Sequence, residues 1–193
     1  MNTRLDRVLL LKRFKRQSIF DRFFEHRDSL IIQYKNGDIT KREFLEGNFE
    51  FVQRIKLKPF SKVDSFEKGM YNYQYYNVLA KYYNMLSADI KNDPNFVKQY
   101  KSCRYKANYY YNEKDKATLQ LLRFLQFKNV EAYFIKVESE YLKDKLYEIV
   151  LLDYKYAIFH SKSKWLLKIL REEGVFIEKK RTSLIDSYIN ERY

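Results

Sequence analysis

Four glycines and two prolines in 193 residues leave this chain few places to turn sharply. Glycine supplies the left-handed backbone that tight turns and helix caps need, and proline interrupts regular elements. An ordinary globular chain carries about 7% Gly and 5% Pro. With breaks confined to Gly37, Gly47, Pro59, Gly69, Pro94 and Gly174, the elements between them must be long, and long elements favour helices. The apolar fraction, 46%, is that of a chain with a core to bury.

The segment HRDSLIIQYKNGDITKREFLEGNFEFVQRI reads as a helical hairpin over about 17–57. Asn36-Gly37-Asp38 ends one helix, and Thr40 with Glu43 forms a capping box for the next. Phe44, Leu45, Phe49, Phe51, Val52 and Ile55 give that second helix an apolar face, which Pro59 terminates. Its Gly-Asp-Ile-Thr and Glu-Phe pattern resembles helical hairpins of small bacterial domains, a resemblance that implies no chemistry.

Two long helices are expected next. One follows Ser65, over about 66–91, and Asp93-Pro94 supplies a cap and a first-turn proline for the other, over about 94–127. The stretch MYNYQYYNVLAKYYNML, residues 70–86, holds six tyrosines. At about 100° per residue, Tyr71, Tyr75, Val78, Leu79, Tyr82, Met85 and Leu86 share a core-like stripe. Tyr73, Tyr76, Ala80 and Tyr83 fall nearly opposite, which makes Tyr73, Tyr76 and Tyr83 a candidate aromatic surface. In the next helix Phe96, Tyr100, Cys103, Ala107, Tyr110 and Tyr111 share a face, NEKDK at 112–116 interrupts it, and Leu121, Leu122 and Leu125 resume it.

Beyond about residue 128 the period changes. AYFIKVE, LYEIVLL and KYAIFHS have the alternation and β-branched bias of strands, placed near 132–138, 145–152 and 155–160. A helix over about 163–173 closed by Gly174, a short strand at Val175–Glu178 and a last helix from Leu184 complete the reading. The expected class is α+β, mainly α: antiparallel helical hairpins followed by a small antiparallel β-sheet with C-terminal helices. The expected division is a helical region, 1–127, and a small α+β region, 128–193, packed on it, or one integrated domain.

The stretches YEIVLLDYKYAIFHSKSKWLL and REEGVFIEKKRTSLIDSYINERY are similar to sequences of an uncharacterised bacterial protein family of unknown function and about this length. That resemblance implies no activity, ligand or site residue.

Catalytic patterns are missing. His26-Arg27-Asp28 matches the kinase catalytic-loop tripeptide, yet Gln33 stands where the metal-holding Asn belongs, and no Gly-rich loop or Asp-Phe-Gly occurs. The isolated glycines cannot cradle phosphate. One cysteine, Cys103, with His26 and His160 cannot make a four-ligand zinc site or an internal disulfide. The short VLLL run at 8–11 meets KRFKR at once, unlike a signal peptide, and no apolar run approaches a membrane span. The reading is a non-enzymatic, cytoplasmic binding protein with no cofactor.

Charge supplies the partner class. A net charge of +13 concentrates anions, nucleic acid above all. The candidate contacts are Lys12, Arg13, Lys15 and Arg16 in the N-terminal basic segment, and Lys162, Lys164, Lys168, Lys179, Lys180 and Arg181 near the C-terminus. Lys12 and Arg16 interrupt the apolar face of Leu5, Val8, Leu9, Ile19 and Phe23, which a helix break, a partner-docking segment or a membrane-surface segment would each explain; peripheral membrane contact is the least favoured. SKSKWLLKIL is loosely similar to the second helix of a double-stranded-RNA-binding domain, which implies phosphate contacts for Lys162, Lys164 and Lys168. It departs from that pattern in lacking the Gly-rich approach and in carrying Trp165, Leu166 and Leu167 where small residues belong. The alternative is a protein-interaction module or homodimer that buries the surplus tyrosine and phenylalanine faces.

Overall fold

A computed structural model describes residues 18–127 together with 133–137, 146–150, 158–161, 164–173 and 177–178. Two compact units divide the chain after Lys58.

The first unit contains α1, Ile19–Asn36, and α2, Lys41–Ile55. Ser18 caps α1: its hydroxyl accepts the Asp21 N–H and the Asp21 carboxylate accepts the Ser18 N–H, both at 3.0 Å. Gly37 closes α1 at φ +80°, where a side chain would be strained. Thr40 and Glu43 form the capping box of α2. The second helix stops at Ile55, and Lys56 takes a left-handed φ of 55° three residues before Pro59.

Between α1 and α2 the core is aromatic. Phe23 is buried, Phe24 meets it edge-on, and His26 stacks on Phe51 at 4.0 Å. Arg27 donates to Asn48 Oδ1 at 3.4 Å, and the Asn48 amide donates to the Phe44 carbonyl at 2.7 Å. The kinase-like tripeptide is therefore part of a helix–helix seam. Burial raises the pKa of Asp28, against the pull of Arg27.

The second unit is built on α3, Phe66–Asp89, and α4, Val97–Phe127, joined through a 3-10 turn at Pro94–Phe96. Ser65 caps α3, and Asp93 accepts the Asn95 N–H at 2.9 Å ahead of α4. From Gly69 to Tyr73 and again from Asn77 to Ala80 every residue of α3 is buried, so this helix is covered on both of its stripes. Leu121, Leu122 and Leu125 of α4 are at most 1% exposed. Gly69 sits at a tight contact between the helices: a Cβ there would lie 2.5 Å from Leu121 Cδ1. Asn72, also buried, accepts the Phe60 N–H at 2.7 Å and donates to the Phe60 carbonyl at 2.8 Å, pinning the chain ahead of α3.

The α+β class is corrected to a helical one. Over residues 18–127, 83% of positions are helical and none is in a strand. The remaining described segments are short strands, β1 Tyr133–Val137, β2 Leu146–Val150, β3 Ile158–Ser161 and β4 Ile177–Glu178, with a nine-residue helix α5, Lys164–Glu172. Their backbone order is β3-β2-β1-β4: β1 with β2 and β2 with β3 pair antiparallel, while β4 adds parallel to β1, so the four are not the wholly antiparallel sheet expected. That expectation weighed only consecutive strands, whereas β4 comes after α5 and pairs on the far side of β1. The helix expected from Leu184 and the N-terminal helical segment through Leu5 to Arg16 lie outside the described residues.

Candidate functional site

The first half of α4 differs from its second half in composition and in exposure. From Val97 to Asn112 it carries Lys98, Lys101, Arg104 and Lys106 and no acidic residue. All four cations are exposed, Ala107 alone is buried, and Tyr105 and Tyr109 stand 73% and 50% exposed. At about 100° per residue Lys98, Lys101, Tyr105 and Tyr109 share one outward stripe.

Beside that stripe the α3–α4 seam is a stack of tyrosines. Tyr110 of α4 stacks on Tyr83 of α3 at 5.8 Å and 15°, and on Tyr76 at 6.4 Å and 27°. Tyr109 meets Tyr110 edge-on at 5.2 Å. The Lys106 ammonium lies 4.9 Å from the centre of the Tyr83 ring, and Arg104 donates to Asn84 Oδ1 at 2.7 Å. Burial, helped by the nearby Glu113 carboxylate, pushes the Tyr76 phenol up to about 12, so this stack is neutral near pH 7. The surface offers π-faces and exposed cations together.

Of the aromatic surface expected from the sequence, Tyr73 is corrected: it is 3% exposed and belongs to the core. Tyr76 and Tyr83 are half-buried, and both contribute to the stack. Lys164 opens α5, and Lys168 is exposed there, 3.6 Å from Glu172. Lys12, Arg13, Lys15, Arg16, Lys162, Lys179, Lys180 and Arg181 lie outside the described residues. Sequence reasoning passed over Tyr105, Tyr109 and Lys106. The signal available for them was the sixteen-residue run without an acid, 97–112.

A second cluster lies inside the helix pair. Lys114 and Asp115 are each 6% exposed, with Nζ to Oδ1 at 3.3 Å. The ammonium also faces Tyr111 at 5.6 Å and Tyr73 at 6.0 Å. Burial lowers the Lys114 pKa, and Asp115 opposes the shift. Thr118 donates its hydroxyl to the Lys114 carbonyl at 3.0 Å. Enclosed in this way, the pair serves to neutralise a buried charge between helices.

Among the described residues no group of three or more His, Cys, Asp and Glu is placed to hold a metal ion, and no helix is long and apolar enough to cross a membrane. Compared with known proteins, residues 13–193 match the model of a family of unknown function, DUF6648. No curated protein and no solved structure matches the chain significantly.

Proposed function

We propose a nucleic-acid-binding role for this chain, which belongs to the family of unknown function DUF6648. The partner is single-stranded, and the surface is the outward face of α4 with the tyrosine stack beside it. The observation that carries the reading is the pairing of exposed Tyr105 and Tyr109 with Lys98, Lys101, Arg104 and Lys106 on a segment free of acids. Single strands are bound without strong sequence preference where aromatic faces stack bases and cations track phosphates. The net charge of +13 supports the same partner by raising the local concentration of polyanions. The basic segments 12–16 and 162–181 are proposed as further phosphate contacts.

The test is anisotropy of labelled single-stranded and duplex oligonucleotides across a salt series. Four phosphate contacts predict a slope of log affinity against log salt of roughly −3 for single strands. Stacking is worth about 1–3 kcal/mol per base, so Tyr105→Ala with Tyr109→Ala should cost at least about tenfold in affinity. Equal binding by the double variant overturns this surface. No binding even at low salt overturns the nucleic-acid reading and favours the alternative, an interaction or homo-oligomeric face, for which each unit has its own apolar candidates: exposed Ile32 and Tyr34 of α1 in the first, and Phe96 and Val97 before and at the start of α4 in the second. Concentration-dependent assembly that salt hardly weakens would then be the expected behaviour.

A further inference from the structure

The outward stripe of α4 does not end at Tyr109. Asn112, Lys116 and Arg123 fall within about 20° of Tyr105 on the helix, and Leu119 and Gln120 lie just to either side. These five residues and Trp165 of α5 line an open cavity of about 460 Å³. That is within the roughly 300–1,000 Å³ typical of small-ligand sites.

Each part of the lining has a distinct chemistry. Trp165 is half-buried and stands next to Leu166, which is fully buried, so packing anchors the helix that carries the indole. Leu119, 8% exposed, adds apolar surface. The Asn112 and Gln120 amides each bring both donors and acceptors. Lys116 and Arg123 bring positive charge, each already held by a carboxylate. Lys116 lies 2.6 Å from Glu113, and Arg123 makes a two-point contact with Glu173, its Nε donating at 2.9 Å. Both pairs are at the surface, where such contacts are worth about 0–1 kcal/mol, so an incoming anion exchanges with them at small cost. Charge-assisted contacts to a phosphate are stronger than that.

A ligand that uses all three features is planar, has a hydrogen-bonding edge, and carries an anionic group. We infer that this cavity holds one nucleotide unit, with its base on Trp165, its base edge at Asn112 and Gln120, and its phosphate at Lys116 and Arg123. The unit is either a free mononucleotide or one residue of a strand. The site shares no side chain with the tyrosine surface, and the free form does not depend on that surface being a binding site.

Trp165 is the chain's only tryptophan, so its fluorescence, excited where tyrosine does not absorb, reports this cavity alone. Nucleoside monophosphates are titrated against the full chain, alongside ribose phosphate, inorganic phosphate and a single-stranded oligonucleotide. Saturable quenching by the mononucleotides, weaker by about tenfold or more in Arg123→Gln and in Lys116→Gln, supports the free form. Quenching by the oligonucleotide alone, with the same loss in those variants, supports the strand form. Lys41→Gln, an exposed cation at the start of α2 that belongs neither to the lining nor to the proposed phosphate contacts, should leave either response unchanged. Equal quenching by ribose phosphate or inorganic phosphate overturns the inference, and so does the absence of quenching by any nucleotide. Retained mononucleotide quenching in Tyr105→Ala with Tyr109→Ala, with oligonucleotide binding lost, separates this cavity from the tyrosine surface; failure of the surface alone leaves the quenching intact.

Discussion

Replacing Gly69 by alanine sets two effects of known size against each other. Alanine is favoured over glycine inside a helix by about 1 kcal/mol. At Gly69 the added Cβ would stand 2.5 Å from Leu121 Cδ1 and 3.1 Å from both Leu121 Cβ and Cγ. A terminal methyl can rotate aside, but Cβ is fixed to the backbone of α4, and Leu121 is 0% exposed with no free volume to enter. The helices must therefore separate, and overpacking of this kind costs about 1–3 kcal/mol. The upper part of that range applies, so Gly69→Ala should lose about 1–2 kcal/mol net. Gly47 is the internal control. Its added Cβ would meet only the Leu30 side chain, at 3.3 Å and 3.5 Å, and Leu30 is partly exposed and can shift. Gly47→Ala should gain about 0.5–1 kcal/mol. Circular dichroism of both variants through a urea gradient, repeated as thermal melts, reads the difference. For a chain of this size the expected melting shifts are about 3–6 °C downward and about 2 °C upward. A stabilised Gly69→Ala variant would refute the claim that α3 and α4 are held at contact there.

Two further perturbations test other parts of the structure. Asn72→Ala leaves the Phe60 N–H and carbonyl without their side-chain partner; urea midpoints should fall by the equivalent of about 1–3 kcal/mol, and an unchanged midpoint would mean that the 2.7 Å and 2.8 Å bonds do not hold this segment. Alkaline pH should destabilise the fold through Tyr76: its folded phenol titrates near 12 instead of 10.0, so the unfolded chain ionises first and stability falls as pH rises from about 10 toward 12. Stability curves of the Tyr76→Phe variant should lose part of that slope, and identical curves would sink the assignment.

What was legible in the sequence is what local chemistry decides. Gly37, Thr40 with Glu43, Ser65 and Asp93 each mark an element boundary through hydrogen bonds within a few residues, and all four act as caps. Tyr73 was misplaced because a stripe argument assumes that one side of a helix faces water, whereas α3 is covered on both sides. NEKDK looked like a break in the pattern. Helix α4 runs through it for 31 residues, since Glu and Lys are good helix formers and the burial of Lys114 and Asp115 is decided by the neighbouring helix. The fold class failed on weight: runs such as LYEIVLL form short strands, whereas residues 18–127 are 83% helical and hold no strand. The surface site was hidden because lysines outside a helix look alike until the acids around them are counted.

The enclosed ammonium of Lys114 gives the protein an internal gauge of its own foldedness. Among the residues whose burial is described, it is the one lysine counted as buried. Its lowered pKa makes the amine intrinsically readier to acylate than its neighbours, while the surrounding helices deny reagent access. In a mixture of labelled peptides it should thus change from the slowest site to an ordinary one at the moment α3 and α4 part. Quantifying that single peptide by mass spectrometry would follow opening of the helix pair in a crude lysate, with no purified sample and no reporter beyond the acylating reagent.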